Sequence, residues 1–258
     1  METLTETIWF SEKRKELMFL LLEGAKTSEE IENIMGVSWR SMMLPVKELK
    51  EMDLLLHEDT KYKLSSIGRL VAENAKPVSD IMDIMDKNTD YWASRDLKAI
   101  PRGLCRRLGE LGNFSLIEPE LKDMFELPEK YVTSISRSTH IMSVLSFFHP
   151  SYLSMFSEMA LKGVEISLLL TESVWQRIKE DFQEHKDQLE NIGNAHVFVY
   201  QHEPAPPAIV ATDVFLLLSI FNKEGRYDHR DILSFDASAL QWGKELFLHY
   251  VENSMKVI

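Results

Sequence analysis

The side chains best suited to nucleophilic, acid–base or metal chemistry are His57, His140, His149, His185, His196, His202, His229 and His249, together with a single cysteine, Cys105. None of the histidines forms a His-x-His or His-x-x-x-His pair that could seat a metal from one element, and one cysteine excludes both an internal disulfide framework and the Cys-pair zinc signatures. No G-x-G-x-x-G, G-x-x-x-x-G-K-[ST] or G-x-S-x-G is present, so neither a phosphate cradle nor a strained nucleophile turn is encoded. Arg102, Arg106 and Arg107 flank Cys105 and would lower its pKa, but a thiol nucleophile also needs a base. A buried thiol beside a solvated arginine face is the simpler reading. The pattern points away from an enzyme, a metal site or a cofactor.

Polar groups can still converge where elements end. From 138 to 258 the sequence alternates apolar β-like runs with amphipathic helices: a strand over 141–148, a helix over 152–162 stopped by Gly163, a strand over 164–170, a long polar helix over 173–190 and a strand over 196–200. This β-α-β-α-β order predicts parallel pairing through right-handed crossovers. Runs 208–211 and 214–221 read as a hairpin on the sheet edge, and 238–252 as a closing helix with Leu240, Leu246, Phe247 and Tyr250 for burial. Open α/β sheets bind ligands at the carboxyl ends of their strands, which nominates His149, Thr171, Arg226 and Tyr227 as the lining of an effector pocket. The topology resembles that of a phospholipase D-like half-domain. Phosphodiesterase chemistry in that fold needs a His-x-Lys, and no histidine here has Lys two residues on.

The N-terminal segment reads differently. Leu17, Leu20 and Leu21 share one face of a helix ended by Gly24, and Thr27 with Glu30 has the spacing of a capping box that starts a second helix with Ile31 and Ile34 inward. Gly36 permits a tight turn, with Val37 at the helix junction, and Ser38 is placed to cap a third helix with Met42, Val46 and Leu49 inward. Trp39, Arg40, Met43, Lys47 and Lys50 then face out. Pro45 would kink this helix unless it lies in the first turns. Runs 54–58 and 61–64 around Asp59-Thr60 form a hairpin. Three helices and a hairpin make a winged helix-turn-helix, whose third helix can enter a DNA major groove while the hairpin reaches flanking phosphates. Residues 38–69 carry six basic and five acidic side chains. Binding of double-stranded DNA therefore depends on clustering rather than net charge.

Pro77 marks a change of texture, and 77–137 reads as a helical linker in which Ile81, Met82, Ile84 and Met85 make a seam for a homodimer. The expected domains are a winged helix-turn-helix (1–76), this linker (77–137) and an α/β effector-sensing domain (138–258). The fold class is thus α+β and α/β. A formal net charge of −12 argues against nonspecific coating of nucleic acid or anionic membrane. Residues 1–10 lack a basic stretch before an apolar core, and no run reaches 18 apolar residues, so neither an export signal nor a membrane span is expected, and one cysteine suits a reducing cytoplasm.

Several stretches together resemble a known family: Leu20-Leu21-Leu22-Glu23-Gly24, the segment Thr27 to Leu49 with its Pro45, Tyr91-Trp92 followed by Asp96-Leu97 and Ile100-Pro101, Leu108-Gly109-Glu110-Leu111-Gly112, Phe148-His149-Pro150, Gly225-Arg226-Tyr227-Asp228, and Leu233-Ser234-Phe235-Asp236. In order and spacing they are similar to the archaeal winged-helix transcriptional regulators that include the methanogenesis regulatory proteins. The resemblance implies an N-terminal DNA-binding module joined to a domain that senses a small molecule or partner. Carried onto this sequence, it implies a DNA-facing set of Ser38, Trp39, Arg40, Met43, Lys47, Lys61 and Lys63, and no catalytic residue. Trp39 and Met43 would meet thymine methyl groups. The rival expectation is a winged helix used for protein contacts, with Trp39 and Met43 as its binding patch and the acidic C-terminal part docking a basic partner.

Overall fold

A computed structural model describes residues 3–119 and 129–258. Contacts divide the chain into two units, Met1–Ser79 and Asp80–Ile258.

The first unit opens with α1 (Leu4–Trp9), α2 (Glu12–Leu20) and a 3-10 turn ended by Gly24, followed by the short strand β1 (Lys26–Thr27). Then come α3 (Ser28–Met35), α4 (Trp39–Glu51), and the hairpin strands β2 (Leu55–Glu58) and β3 (Lys61–Leu64). The capping box at the start of α3 forms as its spacing predicts: the Thr27 N–H donates to Glu30 Oε2 at 2.6 Å and the Glu30 N–H to Thr27 Oγ1 at 3.2 Å. Gly36 closes that helix at φ 63°, in the left-handed region where a glycine carries no Cβ penalty. β1 and β2 both pair antiparallel with β3, giving a three-stranded sheet of order β1-β3-β2 beside the helices. Leu17, Leu21, Ile31, Met42, Leu49 and Leu54 are completely buried between them.

Ile34 departs from expectation and is 58% exposed. The core lies on the i+4 side of Ile31, so Met35 turns inward and Ile34 swings to solvent. Pro45 sits well inside α4, which runs on without a break; the ring is buried on the core side and removes only the bond that would reach the Ser41 carbonyl. Pro77 likewise lies inside a helix, α5 (Ser66–Lys87), so the predicted break there is absent and the division of units falls after Ser79.

The second unit carries α6 (Thr89–Ser94), α7 (Arg102–Cys105), β4 (Ser115–Ile117), α8 (Glu129–Ile135), β5 (His140–Leu145), α9 (Pro150–Leu161), β6 (Glu165–Thr171), α10 (Glu172–Asp181), α11 (Gln183–Glu190) and β7 (Ala195–Tyr200). After them follow β8 (Ala208–Thr212), β9 (Leu216–Ser219), β10 (Asp231–Ser234), α12 (Ala237–Val251) and β11 (Met255–Lys256). The predicted polar helix 173–190 is two helices that break at Phe182, which leaves the helical region at φ −135°. β5, β6 and β7 pair in parallel, as their crossovers require. The β8–β9 pair is a hairpin, but it is not at an edge: β8 joins β5 and β9 continues to β10 and β4, giving the order β11-β7-β6-β5-β8-β9-β10-β4.

Alternation along each strand sends side chains to two covered faces. Ile141, Leu145, Leu168, Val210, Leu217 and Leu233 meet α8 to α11 on one face. Val144, Leu169, Ile209, Leu216 and Ile232 meet α12 and residues of the 84–111 segment on the other, where Trp242 and Tyr91 are wholly buried. The 80–117 segment is therefore part of this unit and not a separate linker. Ile84 is buried there and Ile81 and Met85 are half-buried against the same core, so of the four residues expected in a dimer seam only Met82 remains exposed.

Candidate nucleic-acid interface and sensor residues

The solvent side of α4 presents Arg40, Met43, Lys47 and Lys50, all exposed. Of the two basic residues on the hairpin, Lys61 is exposed and Lys63 half-buried. Arg40, Lys50 and Lys61 make no ion pair among the described residues, whereas Lys47 lies 3.6 Å from Glu51 and Lys63 2.6 Å from Glu58. Three cations are thus exposed without an acid at ion-pair distance among the described residues, and two are held by acids of the same elements. Arg14, nearly buried, reaches Glu48 at 2.9 Å and ties α2 to α4 behind this face.

Two residues of the predicted DNA-facing set differ from expectation. Trp39 is half-buried, its ring 5.0 Å from Tyr62, which in turn stacks on His57 at 4.2 Å; it joins α4 to the hairpin instead of standing free. Ser38 is exposed, but its hydroxyl makes no cap. The Trp39 N–H donates instead to a Glu32 carboxylate oxygen, which occupies the donor that an N-terminal phosphate contact would use. Between helix and wing runs a groove of about 460 Å3 lined by Trp39, Met43, Val46, Lys47, Lys50, Glu51 and Tyr62. The sequence reading missed Tyr62 and His57, although the hairpin register makes them direct cross-strand partners.

In the second unit the four predicted pocket residues do not all meet. His149 precedes α9 with its ring 5.0 Å from Tyr152, and Tyr227 stacks on Phe147 at 4.4 Å. Thr171 is buried at the end of β6 and pairs with Ser173 Oγ at 3.2 Å. The Arg226 side chain is exposed; its backbone N–H donates to Asn222 Oδ1 and its carbonyl accepts from the Asn222 N–H. The residue that reasoning from strand ends passed over is Asp231, because β10 was not foreseen. The Tyr227 hydroxyl donates to Asp231 Oδ2 at 2.9 Å. Burial pushes the Asp231 carboxyl up from its ordinary value; Ser219, Tyr227 and His229 draw it part of the way back, and Asp228 raises it. Burial also raises the Tyr227 and Tyr152 hydroxyls, with the Asp231 charge adding to both.

The loop carrying Tyr227 is anchored by Arg95, whose side chain is wholly buried. Its guanidinium donates to both Asp228 oxygens and to the Ile220 carbonyl, and lies over the Tyr91 ring at 4.4 Å. Burial alone would raise Asp228, but Arg95 outweighs it and holds that carboxyl below its usual range. Cys105 is half-buried and its thiol is raised by burial, the reverse of what its arginine neighbours suggested. Arg107 is occupied by Glu110 and Glu245. Among the described residues no group of three or more His, Cys, Asp or Glu side chains is placed to hold a metal ion, and no helix is long and apolar enough to cross a membrane.

A helix-turn-helix with a hairpin wing, followed by an α/β sheet domain, describes a regulatory protein with a recognition module and a second, larger domain. Residues 5–86 match the N-terminal domain of the methanogenesis regulatory protein FilR1, and residues 124–253 match its middle domain. The chain belongs to the FilR1 family, a family of regulatory proteins and not of enzymes. The methanogenesis regulatory protein FilR1 of Methanothrix harundinacea (strain 6Ac) is 20% identical over 251 residues, which cover 96% of this chain and 56% of that protein. The chain thus spans little more than half the length of that relative. Among solved structures, the archaeal chromatin protein TrmBL2 aligns at 14% identity over 98% of this chain and 97% of its own, with a TM-score of 0.46. The phospholipase D family member Nuc of Salmonella typhimurium aligns at 12% identity over 56% of this chain and 99% of its own, with a TM-score of 0.39. Scores at this level establish no shared fold.

Proposed function

We propose that this chain is a transcriptional regulator that binds double-stranded DNA through α4 and the hairpin and works in the cytoplasm. The observation that carries the reading is that Arg40 and Lys50 on α4 and Lys61 on the hairpin are exposed and make no ion pair among the described residues. Arg40, Met43 and Lys47 face the major groove, with Ser38 and Trp39 at its edge; Lys61 reaches a flanking phosphate, as Lys63 does once it leaves Glu58. A homodimer would read two half-sites together. The first-unit part of α5 offers a seam for it, since Ile67, Leu70 and Val78 are 57%, 62% and 44% exposed at helical spacing. The second unit, on this reading, is a phospholipase D-like half-domain turned to sensing a small molecule, with His149, Thr171, Arg226 and Tyr227 at the strand ends and Asp231 added to them.

The exposed pair Met43 and Leu44, each 61% exposed on α4, favours a second reading in which the same face binds a protein. Titration of the purified chain into labelled duplex DNA from upstream of its own gene, against random competitor and across a salt series, separates the two. Saturable binding with a steep salt slope is the expected result. No binding to any duplex at 50 mM salt, followed by failure of a genome-wide selection, would transfer the face to protein contacts.

A further inference from the structure

The groove between α4 and the hairpin is built from one stripe of the helix. Trp39, Met43, Val46 and Lys50 recur at intervals of four, three and four, which puts their side chains along one side of α4. Val46, 6% exposed, is the most buried of them, and the Trp39 ring is half-buried. Tyr62 of β3 supplies the hairpin side of the groove. His57 stacks on that ring at 4.2 Å with 14° between the planes, and the Trp39 ring meets it at 5.0 Å and 45°, so two neighbours fix its orientation before any ligand arrives. Lys61 and Lys63 lie on the other face of the hairpin, because successive residues of a strand point opposite ways and Tyr62 shares its side with His57. The groove is thus distinct from the outer lysine face of the hairpin.

The charged and polar groups lining this groove are nearly all donors. Lys50 makes no ion pair among the described residues, and Lys47 lies 3.6 Å from Glu51, the one acid of the lining. The Trp39 indole N–H and the Tyr62 hydroxyl make no hydrogen bond among the described residues either. Two ammonium groups against one carboxylate leave the lining with positive charge in excess, which calls for an anion. The rest of the surface is two rings, a thioether and the Val46 side chain, which suits a flat aromatic body. A volume of about 460 Å3 falls within the range of small-molecule sites and holds two fused rings with a carboxylate. A water molecule or an inorganic ion would leave most of it unfilled.

We propose that this groove is the binding site of a small aromatic carboxylate, which lies against Trp39, Met43 and Val46 with its anionic end at Lys50 and Lys47. Met43, Lys47 and Lys50 also stand on the surface offered to DNA, so ligand and duplex compete for α4. The ligand site is independent of the DNA reading; the competition rests on it.

The test is calorimetric titration of the full chain with indole-3-acetate, with indole-3-acetamide as the neutral counterpart and acetate as the charge without the rings. Saturable one-to-one binding of the aromatic acid about tenfold tighter than of the amide is expected, with no saturable binding of acetate. Lys47→Met combined with Lys50→Met changes two exposed side chains, so the variant should fold by circular dichroism and lose the preference, whereas Lys244→Met on α12 should keep it. Equal affinity for the amide, acetate bound as tightly as the aromatic acid, no saturable binding at about 5 mM, an unchanged preference in the double variant, or its loss in Lys244→Met overturns the site. In the duplex assay, indole-3-acetate at ten times its dissociation constant should weaken apparent DNA binding about tenfold by mass action. Duplex affinity that saturating acid leaves unmoved overturns the competition. The titration contains no DNA, so its failure removes the ligand site and leaves DNA binding to the duplex experiment, and a chain that binds no duplex leaves the ligand result standing.

Discussion

Replacing Arg40 and Lys61 together by alanine gives the most direct quantitative test of the DNA-facing surface. Both side chains are exposed and make no ion pair, so truncation removes phosphate contacts without stranding an acid or opening the core. Each phosphate neutralised contributes about −0.9 to the slope of log K against log salt. If Arg40, Lys50 and Lys61 each meet one phosphate, the slope is about −2.7 per protomer and about −5.4 for a dimer on two half-sites. A fourfold rise in salt from 50 to 200 mM then weakens the dimer on the order of 10³-fold. The double variant should retain a slope of only about −1.8 as a dimer. Fluorescence anisotropy with a labelled duplex across 50–300 mM potassium chloride reads this directly, and a thermal melt verifies that the variant is folded. A folded variant with the parent's slope would mean that these two residues touch no phosphate, and the proposed orientation of α4 and the hairpin would have to be abandoned.

Four further outcomes are expected. Glu51→Gln with Glu58→Gln releases Lys47 and Lys63 from their partners at 3.6 and 2.6 Å and should steepen the slope by about 1.8 per protomer; a tighter complex with an unchanged slope would point to protein repositioning instead. Gly68→Ala drives a Cβ to 1.9 Å from the Leu54 carbonyl oxygen, so this variant should lose about 1–3 kcal/mol in chemical denaturation, whereas Gly103→Ala, with open space around it, should not. Asp228→Asn leaves the buried Arg95 guanidinium without its carboxylate and should destabilise by about 3 kcal/mol, or roughly 6–12 °C in melting temperature; a loss below 1 kcal/mol would show that the Ile220 carbonyl and Tyr91 ring suffice. Asp228 in this loop and Asp231 at the start of β10 predict opposite pH limbs. Asp228, held low, stabilises above the ordinary carboxyl value of about 3.9, and that contribution disappears as pH falls through its folded value. Asp231, held high, contributes stability below that value which is lost as pH rises through its own folded value, so acidification from neutrality should first stabilise the parent, and Asp231→Asn should lack that limb.

Local signals determined a large part of this molecule. The capping box at Thr27 and Glu30, the turn at Gly36, the inward stripe of Met42, Val46 and Leu49, the hairpin about Asp59 and the β-α-β-α-β order all depend on residues a few positions apart, and each forms as read. The outward face of α4 follows from the same period, which is why the exposure of Arg40, Met43, Lys47 and Lys50 was legible in advance. Tertiary packing decided the rest. Whether Ile34 or Met35 turns inward depends on where the neighbouring helices stand, and the Trp39 ring is claimed by Tyr62 from the wing, 23 residues away in sequence. Neither proline stops its helix, because both occupy places where one missing hydrogen bond is tolerated by the surrounding structure. The strand β10 is four residues long and carries an acid at its first position, a pattern that local reading assigns to a loop. The pairing of β10 between β9 and β4 buries Asp231, and the anchoring of Asp228 by Arg95, just after α6, holds the loop that brings Tyr227 to it. The β4–β10 pairing and the Arg95–Asp228 pair join positions more than 100 residues apart, where no periodicity or short motif carries the signal.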